Sequence, residues 1–253
     1  MQLTDRLETD TREGVRVLRF AQPARKNALD TESYLQLVRA LDQAAADETV
    51  RVLVLTGSET CFCGGNDLGD FIENPIRDEQ HPVYCFMRAL RAFAKPVIVA
   101  VEGPAIGIGC TLLLHADLVY AGGGSYFRMP FVPLGLCPEF ASTWLLPRML
   151  GHPRAAELLL LGKTFDADQA CSFGMVNAVV SPGEALEAAL QSARQLAAAP
   201  ATAVLQTKRL MKQGQEQCFD QAMQGELGVL IAALQSDDFK AAAAAFFRGK
   251  VGG

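Results

Sequence analysis

The sequence has no basic cluster. Its 23 lysines and arginines against 28 aspartates and glutamates leave 253 residues with a net charge of −5. Without a basic face the chain lacks the electrostatic footprint of nucleic-acid binding, and its long-range field does not gather anions. Any anionic group must be held by local residues. The seven cysteines (Cys61, Cys63, Cys85, Cys110, Cys137, Cys171 and Cys218) form an odd, scattered set with no C-x-x-C pair, and the three histidines lie far apart. That pattern speaks against a disulfide framework and a zinc site, and for reduced thiols in a cytoplasmic-type compartment. No apolar run reaches the length of a membrane span. The first residues, Met1 to Arg6, carry no secretory apolar segment, and Gly249 to Gly253 is not a peroxisomal tripeptide. The expectation is a cytoplasmic protein with no metal, no membrane and no nucleic-acid partner. No repeat of fixed period is visible, and the one low-complexity tract is Ala241 to Ala245.

What is present is apolar substance, half of all residues, enough for one sizeable core with an appendage. The chain is organised around Glu102-Gly103-Pro104-Ala105-Ile106-Gly107-Ile108-Gly109-Cys110-Thr111, which follows the apolar run Val97 to Val101. A buried strand that breaks into Gly-x-Gly and then a helix, here expected over 107–115, leaves backbone N–H groups unpaired at the positive end of the helix dipole. The result is an anion site made of backbone. A phosphate is a poor occupant, because Gly-x-x-x-x-Gly-Lys is absent and no basic residue lies nearby. A developing oxyanion fits better. A Rossmann fingerprint is disfavoured too, since the third glycine is missing and the motif comes in mid-chain.

Around this centre, Val15 to Phe20 alternates as a strand and Pro23 to Asp30 forms a loop. A helix comes next, expected to turn Leu35, Val38, Leu41 and Ala45 to one face. Val50 to Gly57 is a second strand, running into the turn Cys61-Phe62-Cys63-Gly64-Gly65-Asn66-Asp67-Leu68, where Asp67 is placed to cap the segment after it. A helical pattern over Asp78 to Ala94 then joins this strand to Val97–Val101, which implies parallel pairing with a right-handed crossover. His115 and Asp117 with Cys110 or Cys137 do not make a convincing nucleophile, and His115 reads as a capping or packing residue. The segment Ser125 to Ser142 is stiffened by three prolines, and in it Glu139 sits among Cys137, Pro138 and Phe140. Desolvation there would raise its pKa, as a base that must also hold a proton requires. The competing reading is a glutamate favoured by the dipole of a helix over 141–150. Beyond Pro182-Gly183 the composition turns helical, over 184–199, 201–213, 216–234 and 236–248. A boundary near Ser181 separates a core, 1–181, from a helical region, 182–253, apolar enough to pack on neighbouring subunits.

These ordered motifs resemble the enoyl-CoA hydratase/isomerase (crotonase) superfamily from about Val15 to Val180, and more loosely afterwards. The resemblance implies an α/β fold, a spiral of ββα turns with a helical C-terminal region, assembled as a homotrimer or a dimer of trimers. It implies an acyl-CoA thioester substrate and no cofactor beyond the coenzyme A the substrate carries. It places the two oxyanion N–H groups on Asn66 and Gly107 and the catalytic base on Glu139. It lines the coenzyme A channel with Ala28, Leu29 and the turn Gly64, Gly65, Asn66, Asp67 and Leu68. Lys26 is placed to meet a phosphate, and Phe246 and Lys250 match a region that contacts coenzyme A. Each of these three has an ordinary alternative, a solvated lysine for Lys26 and helix packing for the other two. At two places where hydratases carry glutamates this chain has Thr111 and Phe131. The Gly-Asn-Asp-Leu turn and Pro138-Glu139 are closest to the Δ3,Δ2-enoyl-CoA isomerase branch. Hydration, thioester hydrolysis and a catalytically silent acyl-CoA-binding subunit are the rival expectations.

Overall fold

The computed structural model describes residues 2–3, 6–214 and 216–251, without the side chains of 2, 3, 250 and 251. Among the described residues ten strands form two sheets. In chain order they are β1 (Gln2–Leu3), β2 (Leu7–Arg12), β3 (Val15–Phe20), β4 (Val52–Thr56), β5 (Val97–Val101), β6 (Pro104–Ile106), β7 (Leu118–Gly122), β8 (Tyr126–Arg128), β9 (Phe165–Asp166) and β10 (Ala178–Val180). The larger sheet has the order β1-β2-β3-β4-β5-β7-β10, and β6-β8-β9 form the smaller one. From β3 to β10 every neighbouring pair in the larger sheet is parallel, with Leu53 opposite Val97 and Ile98 opposite Leu118. The helical crossovers expected from the sequence do connect parallel strands.

The central strands are buried on both faces, which explains why they read as unbroken apolar runs. Side chains alternate across the sheet. Leu53, Leu55, Val97, Val99 and Val101 enter the main core, while Val52, Val54, Ile98 and Ala100 enter a smaller one behind it. The helices are α1 (Thr31–Ala46), α2 (Leu68–Glu73), α3 (Pro82–Ala92), α4 (Ile108–Thr111), α5 (Ser142–Leu150), α6 (His152–Leu160), α7 (Ala167–Ser172), α8 (Ala185–Ala198), α9 (Ala201–Lys212), α10 (Glu216–Leu234) and α11 (Asp237–Val251). Helices α1 and α3 pack on the main core. Helix α8 closes the smaller one with Ala185, Ala189 and Ala193, four residues apart on one face. The helical region after position 182 therefore begins with a helix that belongs to the sheet.

Local sequence sets several helix starts. Asp30 caps α1 by accepting from the Ser33 N–H at 2.9 Å, Asp67 caps α2 through Gly69 and Asp70, and Asp166 with Gln169 forms a capping box on α7. Two helices lack a local cap and borrow a glutamate from elsewhere. Glu102, just after β5, accepts from the N–H groups of Gly183 and Ala185, each at 3.0 Å, and so ties α8 to the sheet. Glu226 does the same for α5 from α10.

Two details differ from expectation. Helix α1 buries Ser33, Tyr34, Leu37, Leu41 and Ala44, not the face through Leu35, Val38 and Ala45; Leu35 and Val38 are half-buried and Ala45 is exposed. Tyr34 decides this, because a fully buried aromatic ring contributes more than any flanking aliphatic. The helix expected over 107–115 is a single α-turn, α4, continued by a 3-10 turn from Leu112 to His115. The tighter winding advances about 2.0 Å per residue. It carries the chain to β7 in few residues.

Candidate active site

Three backbone segments lie side by side at the ends of the central strands. The loop before α1 meets the glycine turn, with Leu29 N–H donating to Gly65 O and Asp67 N–H to Leu29 O, both at 2.8 Å. The glycine turn in its turn pairs with β6, Cys63 N–H reaching Pro104 O and Ile106 N–H reaching Cys63 O. Asn27 locks the first contact. Buried at a positive φ of 51°, it donates from Nδ2 to Cys61 O at 2.7 Å. Arg25 adds ion pairs to Asp30 and Asp67, the caps of α1 and α2. Ala28, Leu29, Gly64, Gly65, Asn66, Asp67 and Leu68 are thus brought together as the sequence suggested, with Lys26 exposed beside them.

This lacing leaves particular N–H groups over. Asn66 lies between Gly65, whose carbonyl is taken, and Asp67, whose N–H is spent, and its own N–H donates to no backbone group among the described residues. The expected second donor, Gly107, requires correction. Its N–H is already bonded to Arg128 O at 2.9 Å, holding β6 to β8. The free donor is one residue on. Ile108 is the first residue of α4, and no carbonyl of its own helix can take its N–H. Gly107 instead supplies the bend, at φ 55° and ψ −120°, a conformation that only glycine adopts at little cost. Gly109 supplies proximity, since a Cβ there would fall 2.7 Å from that of Cys63. The Asn66 and Ile108 amides flank the same contact, where the Gly65 and Ile106–Gly107 backbones touch.

Glu139 is 2% exposed. Its carboxyl hydrogen-bonds the Asn66 side-chain amide, and the Asn66 Oδ1 accepts from the hydroxyl of Tyr34. Oε1 of Glu139 has no partner. Burial first, and the neighbouring Glu226 second, push its pKa up to about 8. The start of α5 is capped by Glu226 and not by Glu139. Thr111 is fully buried, and its hydroxyl is also without a partner. Phe131 is buried in the main core. A narrow cavity of about 10 Å³ touches Glu139, walled by Ile76, Val83, Met87, Leu227 and Leu230. It holds hardly more than one water. A roomier cavity, about 690 Å³, lies elsewhere, between α3, α9 and α10.

His115 packs, as expected. Its ring stacks on Phe140 at 3.6 Å, Nε2 donates to Phe140 O at 2.9 Å, and burial drives its pKa down to about 3. The cysteines beside the site are not nucleophiles, since burial raises Cys63 to about 12 and Cys137 to about 12. Among the described residues no group of three or more histidines, cysteines or carboxylates could hold a metal ion, and no helix is long and apolar enough to cross a membrane. Phe246 is exposed on α11, and the Lys250 side chain lies outside the described residues. Phe246 is not among the residues that wall the narrow cavity at Glu139. Tyr34, Ile108 and Glu226 were not anticipated. Ile108 was missed because the helix expected from the sequence starts at Gly107, whereas the structure starts it one residue on.

Residues 10–250 match the family described as enoyl-CoA hydratase/isomerase. The chain belongs to that family. Among its relatives are the 1,2-epoxyphenylacetyl-CoA isomerase of Escherichia coli, 35% identical over 92% of each chain, and the 2,3-dehydroadipyl-CoA hydratase of the same organism, 35% identical over 87% of this chain and 88% of that one. The human enoyl-CoA delta isomerase 2 is 35% identical over 68% of this chain and 45% of its own length. The solved structure of Pseudomonas aeruginosa OdaA superposes with a TM-score of 0.94 at 43% identity, covering 96% of this chain and 99% of that one. The protein is thus an enzyme of the hydratase/isomerase family with its crotonase-like fold.

Two outcomes are expected from this geometry. Gly107→Ala has space for its methyl, the nearest atom being 3.9 Å away, so the backbone alone resists it. Displacing the Ile108 N–H is expected to lower turnover about a hundredfold, as for loss of one oxyanion donor, with CoA-thioester affinity less affected. Wild-type turnover in a folded Gly107→Ala variant refutes that donor. Glu139 also has a stability consequence. Its folded pKa of about 8 lies above the ordinary value of 4.5, so the stability it confers as the neutral acid is complete below 4.5 and is lost as pH rises through 8. Glu139→Gln cannot ionise. At about pH 9 its melting temperature is expected to exceed the wild type's by ~2–4 °C or more, the shift for about 1 kcal/mol in a chain this size, with the gain shrinking at acid pH. Calorimetry across pH reads it.

Proposed function

We propose that the protein shifts the double bond of a 3-enoyl-CoA thioester to the 2-position, with Glu139 as the single proton carrier. The observation that carries this reading is the pair of buried glutamates. Among the described residues these are Glu139 and Glu226, and Glu226 is committed to three donors while Glu139 keeps a free oxygen. The Glu139 carboxylate removes a proton from C2, and the electron pair delocalises over C2 to C4 and the thioester oxygen. The N–H groups of Asn66 and Ile108 hold that oxyanion. Glu139 then returns the proton to C4, leaving the C2–C3 double bond. Hydration would need a second group for water, and the two positions where hydratases carry glutamates hold Thr111 and Phe131.

The coenzyme A moiety in this reading runs along Lys26 to Leu29 and Gly64 to Leu68, with Phe246 and Lys250 in the further region assigned to it. The exposed Leu210, Met211 and Val229 on α9 and α10 support a homotrimer or dimer of trimers. Light scattering at micromolar concentration is expected to give three or six chain masses, and a monomer would defeat the assembly. The substrate brings its own coenzyme A, and the step calls for no further cofactor. One observation favours a second reading. The buried, unpartnered Thr111 hydroxyl is suited to positioning a water, for hydration or thioester hydrolysis. The relatives include a hydratase as well as isomerases acting on different CoA esters.

Turnover of a 3-enoyl-CoA, monitored through the conjugated thioester it forms, separates the two. Glu139→Gln is expected to lose at least about a hundredfold in kcat with acyl-CoA affinity nearly intact, and Thr111→Ala to lose far less. The working form of Glu139 is the carboxylate, so kcat/KM of the wild type should climb with pH through about 8. An active Glu139→Gln with a dead Thr111→Ala overturns isomerisation in favour of the water-positioning reading.

A further inference from the structure

The turn that delivers Glu139 is built against the preferences of its own residues. Phe140 and Ala141 both have left-handed backbones, at φ 61° and 54°, although neither is glycine. Such residues cost on the order of 1–3 kcal/mol each and persist only when their surroundings impose them. Three contacts do so. Ser142 donates to Glu139 O from Oγ at 2.6 Å and from its N–H at 3.1 Å, and His115 donates to Phe140 O. The third comes from far away in the chain. Glu226 Oε2 accepts from the Ala141 N–H at 2.5 Å, and Oε1 accepts from Thr143 N–H at 3.0 Å and Thr143 Oγ1 at 2.5 Å. Ala141 occupies the cap position of α5 and has no side chain to cap with. A carboxylate, with both oxygens accepting, is the group that suits three donors at a helix start.

We propose that Glu226 is a positioning residue for Glu139, capping α5 from α10 so that the left-handed Phe140–Ala141 turn aims the Glu139 carboxyl into the site. This rests on Glu139 being the proton carrier of the proposed function. Glu226 touches no part of that reaction and acts through the turn. It also faces Glu139 as a like charge, which opposes ionisation of Glu139. The other groups around Glu139 are the Asn66 amide, the Tyr34 hydroxyl and the Cys63 and Cys137 thiols, and Tyr84 on α3 is the further titratable group that feels Glu226. Among the described residues no cation is an identified partner of either carboxyl. Removing the Glu226 charge therefore lowers the pH at which Glu139 ionises, while removing its bonds loosens the turn.

The test is Glu226→Gln in the full-length protein, which keeps size but loses the charge and sets an NH2 group against a donor. Two readouts are taken. Infrared titration without substrate tracks the buried carboxylic acid band, assigned by its loss in Glu139→Gln, and steady-state kinetics with a 3-enoyl-CoA give kcat and KM separately. The expected result is a Glu139 titration at lower pH than in the wild type, with kcat reduced about tenfold to a hundredfold and KM little changed. Wild-type titration and kcat overturn the proposal. So does a fall in melting temperature with the titration unmoved, since that is merely structural. If Glu226→Gln does not fold, Thr143→Ala decides, because it removes one of the three donors at an exposed position. A severalfold lower kcat with unchanged KM supports the role, and an unchanged kcat refutes it. Should no 3-enoyl-CoA be turned over by any form, the functional reading fails, and the infrared shift alone decides the role of Glu226.

Discussion

A carboxyl group with no counter-ion among the described residues, held inside an apolar core, is the constraint around which this structure is arranged. Leaving Glu139 there raises the free energy of its ionised form, and burial provides the larger part of that effect. The backbone that carries it is strained as well, through two left-handed residues in succession. Of local contacts, Ser142 supports the turn. Contacts from distant parts of the chain offset both costs: Asn66 on the carboxyl with Tyr34 behind it, His115 under the turn, Glu226 at its far end. The core must be continuous for those contacts to exist together.

The opposite half of the site is made from what the backbone cannot use. Once the loop before α1, the glycine turn and β6 have paired, the N–H groups of Asn66 and Ile108 are among those left over. Fixed amides aimed at one point need no reorganisation when charge develops there, the arrangement that makes such donors effective. Here the glycines divide the labour, Gly107 bending the chain and Gly109 letting it approach Cys63. A one-residue difference in which amide is free matters chemically. It was settled by a bond to Arg128 in another strand of the smaller sheet.

Remote capping recurs in the molecule. Helices α1, α2 and α7 are started by aspartates beside them, whereas α5 and α8 are started by Glu226 and Glu102, each more than 80 residues away. Of the locally capped helices, α1 and α2 begin at the loops on the coenzyme A side of the proposed site. The remotely capped ones bind the helical C-terminal region to the sheet and to the Glu139 turn, so that region is part of the proposed site's support.

Much of this was legible in the residues. The alternation in Val15–Phe20 and the unbroken runs in β4 and β5 specified strands, because side chains must alternate between two faces and here both are buried. Asp67 marked its helix start, and the apolar company of Glu139 foretold a raised pKa, because caps and desolvation depend on near neighbours. The family motifs located the three segments of the site. Tertiary structure alone decided the rest. Which face α1 buries depended on where Tyr34 could reach Asn66. Which amide stays free depended on which carbonyl β8 presented to Gly107, and what holds the Glu139 turn depended on a glutamate on α10. A hydrogen bond between residues far apart in the chain leaves no periodicity and no local pattern. It exists only once packing has brought donor and acceptor within about 3 Å.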